Sequence, residues 1–70
     1  VQHPSEQAVR IGAGSWIGSG AVILPGAQIG RHVVVAANSV VRGGVPDNSV
    51  VAGVPARVVR RHDGVSWTHP

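Results

Sequence analysis

Four histidines and six arginines carry most of the reactive chemistry of this 70-residue chain. Cysteine and lysine are absent, and the only acids are Glu6, Asp47 and Asp63. Histidine can take a proton near neutral pH and so act as a general base. Arginine offers a permanent charge and a forked set of donors that suits phosphate. Three of the arginines, Arg57, Arg60 and Arg61, gather near the end of the chain. Such a group suits a few phosphates better than a duplex, because the net charge is only +3 and two aromatic side chains are present. A nucleic-acid surface needs a basic stripe with interleaved aromatics, so nucleic acid is excluded as a partner. The histidines are scattered at positions 3, 32, 62 and 69. Zinc held between subunits would need several of them to converge, and no metal site is expected from this spacing.

The elements that must position these groups follow from a repeat. From Ile11 to Pro46 the chain divides into six blocks of six: IGAGSW, IGSGAV, ILPGAQ, IGRHVV, VAANSV and VRGGVP. The first place is always Ile or Val. These two types make up 19 of the 70 residues, so six such matches have chance odds of roughly one in a few thousand, before the choice of phase. The fifth place is small or β-branched: Ser15, Ala21, Ala27, Val33, Ser39 and Val45. The fourth reads Gly14, Gly20, Gly26, His32, Asn38 and Gly44, the residue types that best tolerate positive φ. A helix cannot carry that column, with Pro25 and Pro46 also in the run. Short β-segments with a corner every six residues predict an all-β coil of three sides. The first and fifth places fill its interior.

Residues 18 apart then stack on one outer face: Trp16 with Val34, Val22 with Val40, and Gln28 with Pro46. Two of these three faces are apolar, which points to covered faces and to a cyclic trimer. A chain of this size without disulfides needs such support. The expected boundaries are a lead-in loop at 1–10, a repeat region at 11–61 with its register broken after Pro46, and a tail at 62–70. Trp67 is expected to cap the open end of the coil. No apolar run approaches a membrane span, and the lack of cysteine fits a cytoplasmic setting. The chain starts at Val1 and contains no methionine, which reads as a piece of a longer protein.

Several motifs across Ile11–Arg61 are specific enough to name a relative. They are Trp16-Ile17-Gly18, Ala21-Val22-Ile23-Leu24-Pro25-Gly26, Asn38-Ser39-Val40-Val41 and the ending Ala52-Gly53-Val54-Pro55-Ala56-Arg57. The segment resembles the hexapeptide-repeat acyltransferases, above all sugar O-acetyltransferases of the galactoside, maltose, nodulation and polysaccharide-linked types. The resemblance implies a left-handed parallel β-helix of about two to three coils, although parallel crossovers are generally right-handed. It also implies transfer of an acetyl group from acetyl-CoA to a hydroxyl of a sugar-like acceptor, in a groove between adjacent prisms. Carried over by motif, Ser19 and Ala37 would line the groove, and Arg57 and Arg60 would face the cofactor's phosphates. Trp16 would meet the acceptor.

One stretch departs from the family, whose members usually carry Thr-Lys-Asp before Val-Pro. Here the chain reads Arg42-Gly43-Gly44, so a cofactor-facing lysine is lost at Gly43 and Arg42 supplies the charge. The family's reaction also needs a histidine base. His32 fills a turn position, and His62 and His69 fall in the tail. His3-Pro4 resembles the catalytic His-Pro of galactoside-type enzymes, yet only 12 residues separate it from Trp16. The other alignment places His3 downstream of the base, which then lies before Val1. On that alignment no catalytic residue is assigned in this chain. The alternative function is a non-catalytic β-solenoid used for assembly. A carbonic-anhydrase-like zinc protein is a more distant third.

Overall fold

The computed structural model describes residues 8–68, and among these described residues there are ten short strands and no helix. The first seven strands have two residues each: β1 (Arg10–Ile11), β2 (Trp16–Ile17), β3 (Val22–Ile23), β4 (Gln28–Ile29), β5 (Val34–Val35), β6 (Val40–Val41) and β7 (Gly44–Val45). They are followed by β8 (Ser49–Gly53), β9 (Ala56–His62) and β10 (Trp67–Thr68). The chain visits three sheets in rotation. Sheet A is β1-β4-β7, sheet B is β10-β9-β8-β5-β2, and sheet C is β3-β6. All pairings among β1 to β8 are parallel.

The corners explain the two-residue strands. In the first three, the amide after the turn reaches back three residues, from Ser15 to the Gly12 carbonyl (3.4 Å), from Ala21 to that of Gly18 (3.2 Å) and from Ala27 to that of Leu24 (3.2 Å). The third residue of the turn has positive φ: Gly14, Gly20, Gly26, His32 (54°) and Asn38 (61°). This is the pattern of a type II turn. Successive corners are laced together by backbone bonds, including Asn38 N–H to the Ser19 carbonyl (3.0 Å) and His32 N–H to that of Ala13 (3.0 Å). They also pack closely. A methyl at Gly18 would stand 2.6 Å from the Ala37 nitrogen.

The three sheets enclose one core. Ile29, Val33, Val35, Val41, Val45 and Val51 form a buried cluster, with Ile17, Ala21, Ile23, Ala56 and Val58 packed against it. Ala27, Ser39 and Ser49 are buried too. First and fifth places of the repeat therefore point inward, as expected.

The register breaks earlier than expected. Trp16 pairs with Val34 and Val22 with Val40, in agreement with an 18-residue step. Gln28 pairs with Gly44 and not with Pro46, and Ile29 pairs with Val45. The corner after Val41 is two residues shorter than the others, so Val45 holds a first place and not a fifth. Positive φ there falls on Gly43 (71°), not Gly44. The repeat then resumes in the hexad Val45–Val50, with Asn48 at φ 56° and Ser49 buried. The sequence hid this because a shifted frame still puts valine in an inward column.

The two ends also differ from the expected boundaries. Arg10 already belongs to β1, pairing with Gln28. At the other end the fold does not stop at Arg61, because His62 closes β9 and β10 adds to it antiparallel. Trp67 packs edge-on to His62, with ring centroids 5.0 Å apart, and is half-exposed. Ala56 and Val58, not Trp67, add to the core at that end.

The positive φ at Asn38 yields a stability prediction. Valine there would force a β-branched residue into the left-handed region, costing about 1–2 kcal/mol, whereas glycine would be nearly neutral. Urea unfolding of the Asn38→Val and Asn38→Gly variants checks both values.

Candidate functional site

Sheets B and C meet at a corner built only from small residues. Gly18-Ser19-Gly20 forms its first level and Ala36-Ala37-Asn38 its second, joined by the Asn38–Ser19 backbone bond. Ala52 and Gly53 follow, since Ala36 N–H donates to the Val51 carbonyl (2.9 Å) and Gly53 N–H to the Ser39 hydroxyl (3.2 Å). Ser19, Ala37 and Gly53 are exposed along this edge. A long thin ligand could lie against the backbone here, because nothing larger than a turn side chain projects.

An arginine stands at the end of that column. After Gly53 the chain reverses and β9 returns antiparallel to β8, with Gly53 opposite Ala56 and Arg57 opposite Ala52. Strict alternation would put Arg57 and Arg60 on opposite faces of the sheet. An irregularity in the pairing prevents this: Val50 faces Arg60 while Val51 faces Val58, so β9 carries one extra residue, Val59. Paired residues share a face, and Val58 points inward beside the core with Val51. Arg57 and Arg60 consequently share the outer face, as bulges that re-aim side chains do elsewhere. Sequence reasoning grouped these arginines by motif and missed the bulge; three branched or charged residues in a row gave no signal for it.

The other expected residues fall elsewhere. Arg42 lies on the short corner between sheets C and A, on the far side of sheet C from Ser19 and Ala37. Trp16 is 69% exposed on the outer face of sheet B, in the row with Val34 and Val50. Ser19, Ala37 and Arg57 are thus brought together, Arg60 shares the face of Arg57, and Arg42 is separate. Arg61 pairs with Ser49, on the face opposite to Arg60.

Neither described histidine reaches the column. His32 occupies the corner between sheets A and B, where its ring lies over Gly14. His62 is tied to the same side by its N–H bond to the Asn48 carbonyl (2.8 Å), and its Nδ1 accepts from Gly64 N–H (3.1 Å). His3 and His69 lie outside the described residues, as does most of the lead-in loop. No group of three or more potential metal ligands gathers among the described residues. No helix among them is long and apolar enough to cross a membrane.

The electrostatics favour an anion near Arg57. The two described carboxylates, Asp47 and Asp63, both lie on the side of sheets A and B. Asp47 Oδ1 accepts from Arg31 N–H (2.8 Å). Asp63 Oδ1 accepts from Ser66 N–H and Val65 N–H, both at 2.8 Å, and these bonds hold its carboxyl below the usual range, with His62 adding to the effect. An open trough of about 540 Å³ lies on sheet A between Arg10, Gln28 and Arg31, opposite the Arg57 corner.

Residues 8–43 match the bacterial transferase hexapeptide family, six repeats. The chain belongs to that family. WbbJ of Escherichia coli K12, assigned to lipopolysaccharide biosynthesis as an O-acetyl transferase, is 52% identical over 56 residues, which cover 80% of this chain and 29% of WbbJ. Galactoside acetyltransferase in complex with coenzyme A superposes with a TM-score of 0.74 at 49% identity, over 76% of this hexapeptide chain and 26% of that one. Serine acetyltransferase in complex with cysteine reaches a TM-score of 0.81 at 34% identity, over 93% and 25%. This chain therefore spans less than a third of each relative.

The depressed Asp63 carboxyl sets an acid limit on the β9–β10 turn. A carboxylate stabilised in the fold contributes above its ordinary pKa and loses that contribution as pH falls through the lowered one. Asp63→Ala is expected to free Trp67 at neutral pH, and the unsubstituted chain to do so only in acid below the usual carboxylate range. Fluorescence of Trp67, read in a Trp16→Phe background, checks this.

Proposed function

We propose that this chain is the acyl-donor-binding part of an O-acetyltransferase, which moves an acetyl group from acetyl-CoA to a hydroxyl of a sugar or polysaccharide precursor. The observation that carries this reading is the small-residue corner ending at Arg57. Ser19, Ala37 and Gly53 leave a smooth edge for an extended ligand, and Arg57 with Arg60 offers two guanidinium groups on one face for its phosphates. The residues thus fit coenzyme A, to which galactoside acetyltransferase is bound in its complex. In this reading the strands wind as a left-handed parallel β-helix, with β1 to β8 giving two complete coils and most of a third.

Acetyl-CoA supplies the acetyl group on a thioester. The chain's own residues bind and orient it, hold its phosphates and keep the column free of bulky side chains. The acceptor hydroxyl must lose a proton as it attacks, and no described histidine stands near the column to take it. In this reading the base is His3 or a residue supplied from outside this segment. Trp16, exposed at the first level of sheet B, is suited to stack against a sugar ring at the acceptor end.

A homotrimer completes the groove. The outer faces of sheets B and C carry Trp16, Val34 and Val50, and Val22 and Val40, more apolar surface than a solvated coil presents. Arg42 stands on the other edge of sheet C and reaches a neighbour's column only across such an interface. Use of acetyl-CoA and the absence of cysteine fit the cytoplasm.

Calorimetric titration with coenzyme A tests the reading. Arg57→Ala is expected to weaken binding about tenfold to a hundredfold, the worth of one charge-assisted contact. Unchanged affinity in that variant would place the cofactor elsewhere. A folded, oligomeric chain with no affinity at all would instead favour an assembly role.

A further inference from the structure

Ser39 stands out among the fifth-place residues. It is only 1% exposed, in a column where Ala21 and Ala27 fill the same place. Packing in that column therefore does not require a hydroxyl. The other two serines of the column use theirs within the repeat. Ser15 Oγ donates to the Gly30 carbonyl (2.9 Å) and accepts from Val33 N–H (3.1 Å), and Ser49 Oγ donates to the Pro46 carbonyl (2.7 Å). Ser39 Oγ instead accepts from Gly53 N–H at 3.2 Å, at the point where the chain leaves the repeat.

That point governs where Arg57 goes. Gly53 has φ 108° and is the last residue of β8. The pair Gly53–Ala56 closes the reversal, and the next pair sets Arg57 against Ala52. Only three residues separate the bonded amide from Arg57. The hydroxyl therefore fixes the base of the hairpin relative to the corner of Ser19 and Ala37.

We infer that Ser39 is a positioning residue for donor binding, acting through Gly53 to hold the Arg57 guanidinium at the end of the small-residue column. This rests on the reading of Arg57 as a cofactor contact. It predicts that a side chain sealed in the core, with no access to the ligand, tunes ligand affinity.

The test is a double-mutant cycle on the whole chain, with coenzyme A as probe. Ser39→Ala is expected to weaken binding about threefold to tenfold, the range of one neutral hydrogen bond. Arg57→Ala is expected to cost more, and the double variant to bind within about twofold of Arg57→Ala alone, since residues acting through one another do not add. Independent, additive losses would overturn the inference, as would an Ser39→Ala variant that melts earlier yet binds unchanged. Amide hydrogen exchange separates this from failure of the cofactor reading. If Arg57→Ala itself binds normally, the cofactor reading falls, and the positioning claim is decided by exchange alone. Faster exchange at Gly53 and Arg57 in Ser39→Ala upholds the positional link from Ser39 to Arg57 while its role in donor binding falls with the cofactor reading, and unchanged exchange at both overturns the link as well.

Discussion

At every corner the backbone must turn with one residue in the left-handed region, and the rest of the structure depends on that requirement. It limits β1 to β7 to two residues each, because the next corner comes before a third can pair. It also lets backbone bonds lace one corner to the next, as Asn38 does to Ser19. L-residues pay for positive φ unless they are Gly, Asn or a similar type. The chain answers with Gly14, Gly20 and Gly26 at first and with His32, Asn38 and Asn48 further on. Side chains at the later corners stack over the earlier glycines, His32 over Gly14 and Asn38 over Gly20. A corner made for winding thereby also makes the smooth edge on which a ligand can lie.

The interior follows from the same geometry. Three close sheets leave room for aliphatic residues at the first place and small ones at the fifth, and larger side chains would not fit. This is why a chain with no Phe and no Met can still form a core of six buried aliphatic residues. The outer faces are under no such constraint. They are free to carry what an interface or a ligand needs, and here they carry valine, tryptophan and arginine.

Much of this was legible in the sequence. The first-place aliphatics, the positive-φ column and the pairing of Trp16 with Val34 all follow from a six-residue count. The short corner at Arg42-Gly43-Gly44 did not. Two adjacent glycines allow the turn in either frame, and valine occupies an inward place in both. The signal was present one block later, since Val45-Pro46-Asp47-Asn48-Ser49-Val50 repeats the Asn-Ser-Val of Val35-Ala36-Ala37-Asn38-Ser39-Val40. At the candidate site, Ser19, Ala37 and Arg57 could be named from motifs. The bulge at Val59 and the Ser39–Gly53 bond could not, because each depends on a contact between levels that periodicity does not encode.

The reversal at Gly53 has a structural consequence of its own. A ladder of parallel strands ends in a row of open peptide groups, on which another chain can continue the same ladder. Here β9 folds back over β8 in the opposite direction and occupies that row along sheet B. Beside it lies β10, two residues long, with the Thr68 hydroxyl turned back onto the Arg61 carbonyl. The hairpin acts as a terminator for sheet B: a strand running the opposite way takes the row that a further parallel strand would need, so the winding cannot be continued along that side.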